Sequence, residues 1–373
     1  MPYDDPILKE LQGYVKAGEP GRRERADAWA TAIGLQKVDG LTTSQFLLDT
    51  AKDHIEGRIT QNQARRRIRD YYAAQGEAAG RDSGTEEADK VAERIVAVID
   101  DGGFAFTPEY FISIHAKLFR GVLSSAGKIR TVNIRKREWI LRDDSVTYGD
   151  FATIKSSLVR DFIDEREFDY GGKPPAKIIP HFARFIAQIW QVHPFGEGNT
   201  RTTAVFAIKY LNSLGYHATN NMFQDNAWYF RNALVRANYA DYRCGCSRDW
   251  SYLEAFFRNL LLGEKNELKS RYLLVGLTEA DKRKMRKLSE EDGGRVASGT
   301  VAKTVVKTVV KDGEVTVVKI LRALQKNPRA TRRELAAIAG LSVRGVEWNL
   351  AKLKTEGRIR RVGPARGGRW EVV

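Results

Sequence analysis

The stretch His193-Pro-Phe-Gly-Glu-Gly-Asn-Thr-Arg201 decides the fold of this chain, because it separates two helical segments. Pro194 ends the apolar repeat before it, and helical spacing resumes over residues 202–211. The stretch, called the motif loop below, is therefore predicted to lie at the N-terminus of a helix. There the amides of residues 198–201 lack partners within the helix and point outward with the positive end of its dipole, which suits phosphate oxygens.

The side chains of the motif loop supply what phosphoryl-group chemistry requires. His193 is the one group in the loop that can take a proton near neutral pH. Arg201 offers a bidentate charge, and Asn199 offers a polar contact. Glu197 offers a carboxylate that can hold magnesium against phosphates. Together these groups indicate a site that binds and processes a nucleotide.

The segments around the motif loop are predicted to be mainly helical. Apolar residues recur every three or four positions in 88–99, 106–119 and 180–192. The exception is the segment 127–149, called the flap below, where β-branched and aromatic residues alternate with charged ones and predict a β-hairpin. An unpaired hairpin edge can accept an extended peptide.

The order of residues in the motif loop resembles the Fic family, whose motif is H-P-F-x-[DE]-G-N-G-R-x-x-R. Seven of the eight specified positions before the spacer match. The resemblance extends from about Phe106 to Tyr242 and implies an all-helical core with one hairpin. It also implies that His193 deprotonates a Ser, Thr or Tyr hydroxyl of a target protein. That hydroxyl then attacks the α-phosphate of ATP while pyrophosphate leaves, with Mg²⁺ bound by Glu197.

The resemblance assigns nucleotide contacts to seven residues: Phe195, Gly198, Asn199, Thr200 and Arg201 in the motif loop, and Arg231 and Asn238 near the base. Two positions depart from the family motif. Thr200 replaces the usual Gly, and Ala204 replaces the second Arg, which normally reaches the terminal phosphate. ATP in an altered pose and a different nucleotide donor are therefore alternatives.

Residues 26–72 look similar to the small antitoxin that inhibits some Fic proteins, here fused to its enzyme. In that family a Glu before a Gly pairs with the second motif Arg and blocks productive ATP binding. By spacing, the matching acid is Asp39, and Glu56 is the alternative; a plain turn-capping role for Asp39 is equally open. Because Ala204 removes the usual Arg, we expect the usual ion pair not to form.

The C-terminal segment 316–373 predicts a winged helix-turn-helix. It contains fourteen Lys and Arg against four Asp and Glu, a net +10 of the chain's +15. Helical spacing over 316–325, 331–339 and about 342–356 is followed by two strands around a basic turn. Such concentrated charge predicts DNA as a partner. The expected contacts are Arg344, Asn349 and Lys352 on the recognition helix, and Arg360 and Arg361 on the wing.

Composition indicates a globular protein. Of 373 residues, 42% are hydrophobic and 29% are charged. No apolar run approaches the roughly 18 to 20 residues that a membrane helix needs, and no secretory signal is visible. We therefore expect a cytoplasmic protein that makes no membrane contact, with Cys244 and Cys246 as reduced thiols. The predicted domains are an antitoxin-like helical segment (1–75), a Fic core (76–280), a linker (281–315) and the winged helix-turn-helix (316–373).

These observations predict a mainly α protein that acts as a protein adenylyltransferase. It would transfer AMP from ATP, with Mg²⁺, to a hydroxyl of a target protein or of itself, within a toxin–antitoxin-like arrangement. The alternative is a DNA-binding transcriptional regulator whose altered Fic core is a sensor or scaffold. A homodimer is left open.

Overall fold

The computed structural model describes residues 20–75, 83–216, 218, 221–242, 245–278, 280–283 and 285, together with 321, 323–325, 327–328, 330–339, 346, 350, 353–354, 359–362 and 369–372. The chain divides into two compact units, Met1–Lys282 and Arg283–Val373. Each unit is described by itself.

The first unit is helical, as the periodicity predicts. Its α-helices are α1 Pro20–Gln36, α2 Gln45–Ile55, α3 Gln61–Ala74, α4 Ser83–Asp100, α5 Pro108–Phe119, α6 Ile154–Arg166, α7 Pro175–Val192, α8 Asn199–Ser213, α9 Asn221–Asn238 and α10 Ser251–Leu262. Short 3₁₀ turns lie at Lys37–Asp39, Trp139–Leu141, Phe151–Thr153 and Ser270–Leu273.

Local sequence explains where several helices begin. Thr107 caps α5 by accepting a hydrogen bond from Tyr110 N, and Pro108 occupies the first turn, where no intrahelical donor is needed. Helix α7 begins at Pro175 and continues through Pro180, although a proline there costs one backbone hydrogen bond. Ten of its residues are buried, so its apolar face extends through the proline.

The N-terminal helices belong to the same compact unit as the core. Helix α1 packs against α4 and α9. Buried Trp29 donates from Nε1 to Nδ1 of His54 at 3.0 Å, which joins α1 to α2. Arg25 donates to the carbonyl of Ile55. The segment expected to regulate the site is therefore packed on the helical core.

The flap turns back on itself, but it is not the regular β-hairpin that the alternation predicts. One antiparallel bridge joins Glu138 to Asp144 around the turn Trp139–Leu141. A side chain replaces the next ladder bond, because Lys136 N donates to Oγ of Ser145 at 3.1 Å. The flap is thus an irregular loop closed by a short turn.

The described part of the second unit contains the predicted second helix and both predicted strands, whereas most of the predicted third helix, 342–356, lies outside the described residues. Helix α11, Arg332–Ala339, begins with a capping box in which Thr331 and Glu334 exchange hydrogen bonds. Strands β1 Ile359–Val362 and β2 Arg369–Val372 pair antiparallel. Buried side chains from helices and strand form one core: Ala323, Leu324, Ala330, Leu335, Ala336, Val346, Leu350, Leu353 and Ile359.

None of the described helices combines the length and the apolar character that crossing a membrane requires.

Candidate active site

Two residues with left-handed backbone conformation bound the motif loop. His193 ends α7 with φ 48°, and Gly198 precedes α8 with φ 73°. A Cβ at Gly198 would lie 2.5 Å from the ring of Phe119, so only glycine fits there. His193 has no such freedom, and its conformation is maintained by the contacts of its neighbours.

The N-terminus of α8 presents backbone donors. The first intrahelical bond runs from Thr202 N to Gly198 O at 3.0 Å. Within the described residues, the amides of 198–201 contact no protein acceptor. Since α8 is a 15-residue helix, these amides and the helix dipole make its N-terminus suitable for an anion.

The side chain of Asn199 maintains the motif loop from inside. Its Oδ1 accepts from Phe195 N at 3.0 Å, and its Nδ2 donates to Phe195 O at 2.7 Å. Phe195 is fully buried and stacks on His115 with ring centroids 3.7 Å apart. The expected contacts of these two side chains with a nucleotide are therefore not available in this structure.

Two further residues expected to contact the nucleotide point into the protein. Thr200 accepts a hydrogen bond from Nε1 of Trp190 at 3.0 Å and is 6% exposed, so its β-branched side chain does not project over the helix N-terminus. Asn238 donates to the carbonyls of Ala187 and Leu234 and so connects α9 to α7. Both side chains support packing.

His193 is buried with one free ring nitrogen. Its Nδ1 lies 3.2 Å from the carbonyl of Trp190, and because a carbonyl can only accept, Nδ1 bears the proton. Within the described residues Nε2 has no hydrogen-bond partner. The ring of Tyr148, from the flap, lies 4.1 Å away and covers the imidazole. His193 is 2% exposed, so Nε2 has little access to solvent in this conformation.

The surroundings of His193 keep its imidazole neutral. Burial holds its pKa well below the usual value, and the positive charges of Lys136, Arg130 and Arg231 act in the same direction. A neutral ring with a free Nε2 lone pair can accept a proton at pH 7. The low pKa keeps the ring in its unprotonated form, with Nε2 able to accept, and the same burial and positive charges weaken it as a base in this conformation.

Arg130 holds the backbone of the motif loop. Its Nε donates to the carbonyl of His193 at 2.8 Å, and its backbone N donates to Pro194 O at 2.8 Å. Its guanidinium also donates to Val192 O and Gly149 O. These bonds stabilise the left-handed conformation of His193 from the flap.

His115 supports the other end of the loop. Its Nε2 donates to the carbonyl of Glu197 at 3.1 Å, while its Nδ1 accepts from Gly127 N at 2.8 Å. Both bonds require the neutral ring, and burial lowers its pKa to about 4. His115 therefore fixes the backbone of the residue expected to bind metal.

Arg201 is surrounded by protein acceptors. Its Nε lies 2.7 Å from Oδ2 of Asp39, its Nη1 donates to Gln36 at 2.9 Å, and its Nη2 donates to Glu87 at 2.7 Å. The guanidinium also lies 4.7 Å above the ring of Phe119. The side chain is 2% exposed, so its charge is neutralised within the protein.

Asp39 has an arginine partner, but it is not the one that the family pairing uses. Ala204 does remove the usual partner, but Asp39 pairs with Arg201, the first motif arginine. The reason is that the turn Lys37–Asp39 follows α1 directly and lies beside the N-terminus of α8. The alternative acid, Glu56, lies at the C-terminus of α2 and pairs with Arg58.

Arg231 is paired to the flap. Its two terminal nitrogens lie 2.7 Å and 2.9 Å from the carboxylate of Glu138, which is 1% exposed. The guanidinium also lies 5.2 Å from the ring of Trp228. Arg231, expected to contact the nucleotide base, instead joins α9 to the flap in this structure.

The position of Glu197 is compatible with the expected role of a magnesium ligand. It is exposed and lies one residue before the helix cap, beside the amides that suit phosphate. Magnesium in nucleotide sites is bound by one or two carboxylates and by phosphate oxygens. A single exposed carboxylate is therefore a sufficient protein contribution. The described residues contain no cluster of three or more His, Cys, Asp or Glu that would hold a metal alone.

Several residues of the site were missed by sequence reasoning. Glu87 and Gln36 reach Arg201 from α4 and α1, and Tyr148 covers His193 from the flap. Nothing local marks these residues, because each acts through tertiary packing. His115 could have been found as a histidine on the apolar face of α5, 82 residues before Glu197, whose carbonyl it contacts.

On the wing, Arg360 and Arg361 lie on β1. Arg360 pairs with Glu371 of β2 at 2.7 Å, and Arg361 lies 5.2 Å from the ring of Trp370. Both arginines are exposed. The other expected DNA contacts, Arg344, Asn349 and Lys352, lie outside the described residues.

Comparison with family models gives two matches. Residues 105–211 match the Fic/DOC family, and residues 315–360 match a winged helix-turn-helix DNA-binding family. No curated protein matches the chain. The first match contains the motif loop, His115, Arg130 and the flap. The chain therefore contains a Fic/DOC family domain at residues 105–211, with further helices before and after it in the same compact unit, and a winged helix-turn-helix domain at residues 315–360.

Proposed function

We propose that this protein is a nucleotidyltransferase that moves AMP from ATP to a hydroxyl side chain of a protein, on itself or on a partner. The observation that supports this most directly is that Nε2 of His193 has no partner in the described residues, in the same loop whose Gly198 leads into the N-terminal amides of α8. A base beside an anion site is the minimum that this reaction requires.

In the proposed reaction, Nε2 of His193 takes the proton of the attacking hydroxyl. The hydroxyl oxygen forms a bond to the α-phosphorus, and the bond from that phosphorus to the bridging oxygen of the β-phosphate breaks. Pyrophosphate leaves and the proton remains on His193 until it is lost to solvent. Amides 198–201 and the Arg201 guanidinium would bind the phosphates. Magnesium held by Glu197 would neutralise phosphate charge.

The described conformation corresponds to a resting state in this proposal. Arg201 is engaged by Asp39, Gln36 and Glu87, and Tyr148 covers His193. Binding of ATP would need Asp39 to leave, because both compete for one guanidinium. The turn Lys37–Asp39 would thus inhibit the enzyme through the first motif arginine.

The test is incorporation of nucleotide. The full chain is incubated with magnesium and each nucleoside triphosphate, alone and with bacterial cell extract, and products are followed by intact mass and by label at the α-phosphate. We expect a gain of one nucleoside monophosphate, lost in His193→Ala at an unchanged melting temperature. Undiminished labelling by that variant would refute the assignment.

A second function, DNA binding, is supported by the family match at 315–360 and by the exposed cations Arg360 and Arg361. We propose that this unit contacts the DNA backbone through its wing, which serves transcriptional regulation by the same chain. Affinity of the full chain for duplex DNA should fall steeply with salt. Replacing both arginines with alanine should lower the affinity and make it depend less steeply on salt concentration. An affinity that changes neither with salt nor with the substitutions argues against this role.

A further inference from the structure

The inward face of the flap contains a lysine that the proposed mechanism does not use. Side chains alternate along the segment before the turn: Arg135 and Arg137 are exposed, whereas Lys136 is half-buried and Glu138 is buried. Lys136 and Glu138 are two residues apart where exposure alternates, so they lie on the same inward face, and Glu138 on this face contacts Arg231 of α9.

The ammonium group of Lys136 is not neutralised by the acids around it. Glu138 is used by Arg231, and Asp39 is used by Arg201. Within the described residues no carboxylate lies within 4 Å of Lys136 Nζ. Burial accordingly lowers the pKa of Lys136, and the charges of Asp39 and Glu197 partly oppose this. The inward face of the flap is turned toward the motif loop, because Lys136 N bonds to Ser145 of the returning segment and Tyr148 of that segment lies 4.1 Å from the ring of His193. The charge of Lys136 also lowers the pKa of His193.

The first two turns of α8 contain one cation, Arg201. Ala204, where the family motif has its second arginine, is fully buried in α8 and offers only a methyl group. Arg201 is then the one motif residue able to meet phosphate charge. A triphosphate carries several negative charges, and a partly buried unpaired ammonium gains most from such a partner.

We propose that Lys136 is a substrate-binding residue that contacts the distal phosphates of the nucleoside triphosphate, and so supplies from the flap the charge that α8 lacks. The inference rests on the proposed nucleotidyltransferase function. It assigns a specificity to the flap: a donor with distal phosphates is favoured over a monophosphate, because only the former reaches Lys136.

The test measures binding, so that it does not depend on turnover. Titration calorimetry is performed with ATP and with AMP on the full chain carrying Asp39→Asn, which removes one of the two carboxylates paired with Arg201. Adding Lys136→Met should weaken ATP binding about 10- to 100-fold, the range of a charge-assisted hydrogen bond, and change AMP binding much less. Lys136→Arg should retain ATP binding. Arg137→Met, which removes the exposed neighbouring charge, is the matched control and should have no effect.

The outcomes separate the two proposals. ATP binding that is equal with and without Lys136, in chains of unchanged melting temperature, overturns this inference alone. Absence of ATP binding in the Asp39→Asn chain overturns the proposed function and this inference with it. An equal loss of ATP and AMP affinity in Lys136→Met would assign Lys136 to flap structure and also overturn the inference. A second readout is the pH profile of transfer, whose acid limb should move to higher pH in Lys136→Met because the pKa of His193 rises.

Discussion

Oδ2 of Asp39 lies 2.7 Å from Nε of Arg201, and this ion pair links the N-terminal helices to the motif loop. The arginine is 2% exposed and the aspartate is about one-third exposed, so the pair lies at the edge of the protein interior. A phosphate that takes the place of the carboxylate would keep the guanidinium paired. The exchange therefore need not leave a buried charge without a partner.

Replacement of Asp39 by asparagine should activate the protein. Asn keeps the size of the side chain but lacks the charge that competes with phosphate for Arg201. We expect ATP affinity to rise about 10-fold or more, which corresponds to a change of about 1.4 kcal/mol, with a parallel rise in label incorporation. Asp49→Asn, on the exposed face of α2, is the control and should leave both unchanged. Equal affinity in the wild type and in Asp39→Asn would contradict the inhibitory role.

Gly198 should not tolerate alanine. The substitution places a Cβ 2.5 Å from Phe119 at a backbone φ of 73°, so it combines a steric clash with conformational strain. We expect a loss of at least about 2 kcal/mol in the free energy of unfolding, measured by urea denaturation. Gly196→Ala is the matched control, because its Cβ meets nothing within 4 Å. It should change stability by less than about 0.5 kcal/mol.

The protein should lose stability in mild acid through His115. The folded-state pKa of His115, about 4, lies below its unfolded value of 6.5. The stabilisation is therefore complete above pH 6.5 and decreases as the pH falls toward 4. Its full size is roughly 3 kcal/mol. Urea denaturation at several pH values should show a weaker pH dependence for His115→Gln than for the wild type. An identical slope in the two proteins would show that His115 does not titrate as described.

Removal of the Tyr148 ring should expose His193. In Tyr148→Ala the imidazole gains solvent, so its pKa should rise from its lowered value, as measured by NMR titration of the His193 ring with His193→Ala for assignment. Tyr148→Phe is the control: the hydroxyl is buried without a partner in the described residues, so its loss should leave the pKa of His193 and the stability nearly unchanged. A His193 pKa unaltered by the alanine variant would mean that Tyr148 does not shield it.

The helices and the position of the motif loop could be predicted from local sequence. The apolar repeat and the Pro108 and Thr107 signals determine α5, and the glycine at 198 follows from the turn into α8. Side-chain directions within the loop could not be predicted. Asn199 and Thr200 look like ligand groups in sequence, but neighbouring Phe195 and Trp190 satisfy their polar atoms.

The contacts of the charged residues depend on packing between distant segments. Arg231 pairs with the flap residue Glu138 because the flap lies against α9, and Arg201 meets Asp39 because α1 packs on α9 and places its C-terminal turn nearby. Such pairs are set by tertiary structure. The alternation over 127–149 predicted a regular ladder of backbone hydrogen bonds. The structure has one such bridge, between Glu138 and Asp144, and beside it the amide of Lys136 bonds to a side chain.

Arg130 has a further consequence for motion. Arg130 lies near the start of the flap, and its guanidinium donates to the carbonyl of Gly149 at the end of the flap and to that of His193 in the motif loop. Its backbone amide donates to the carbonyl of Pro194. Opening the flap as a rigid lid hinged at its roots would break all of these bonds at once. The economical movement is instead a bend of the tip, beyond Asn133, which carries Lys136 away, together with a rotation of the Tyr148 side chain that uncovers His193 while the His193 backbone keeps its conformation. A movement that opens the site therefore need not change the orientation of His193.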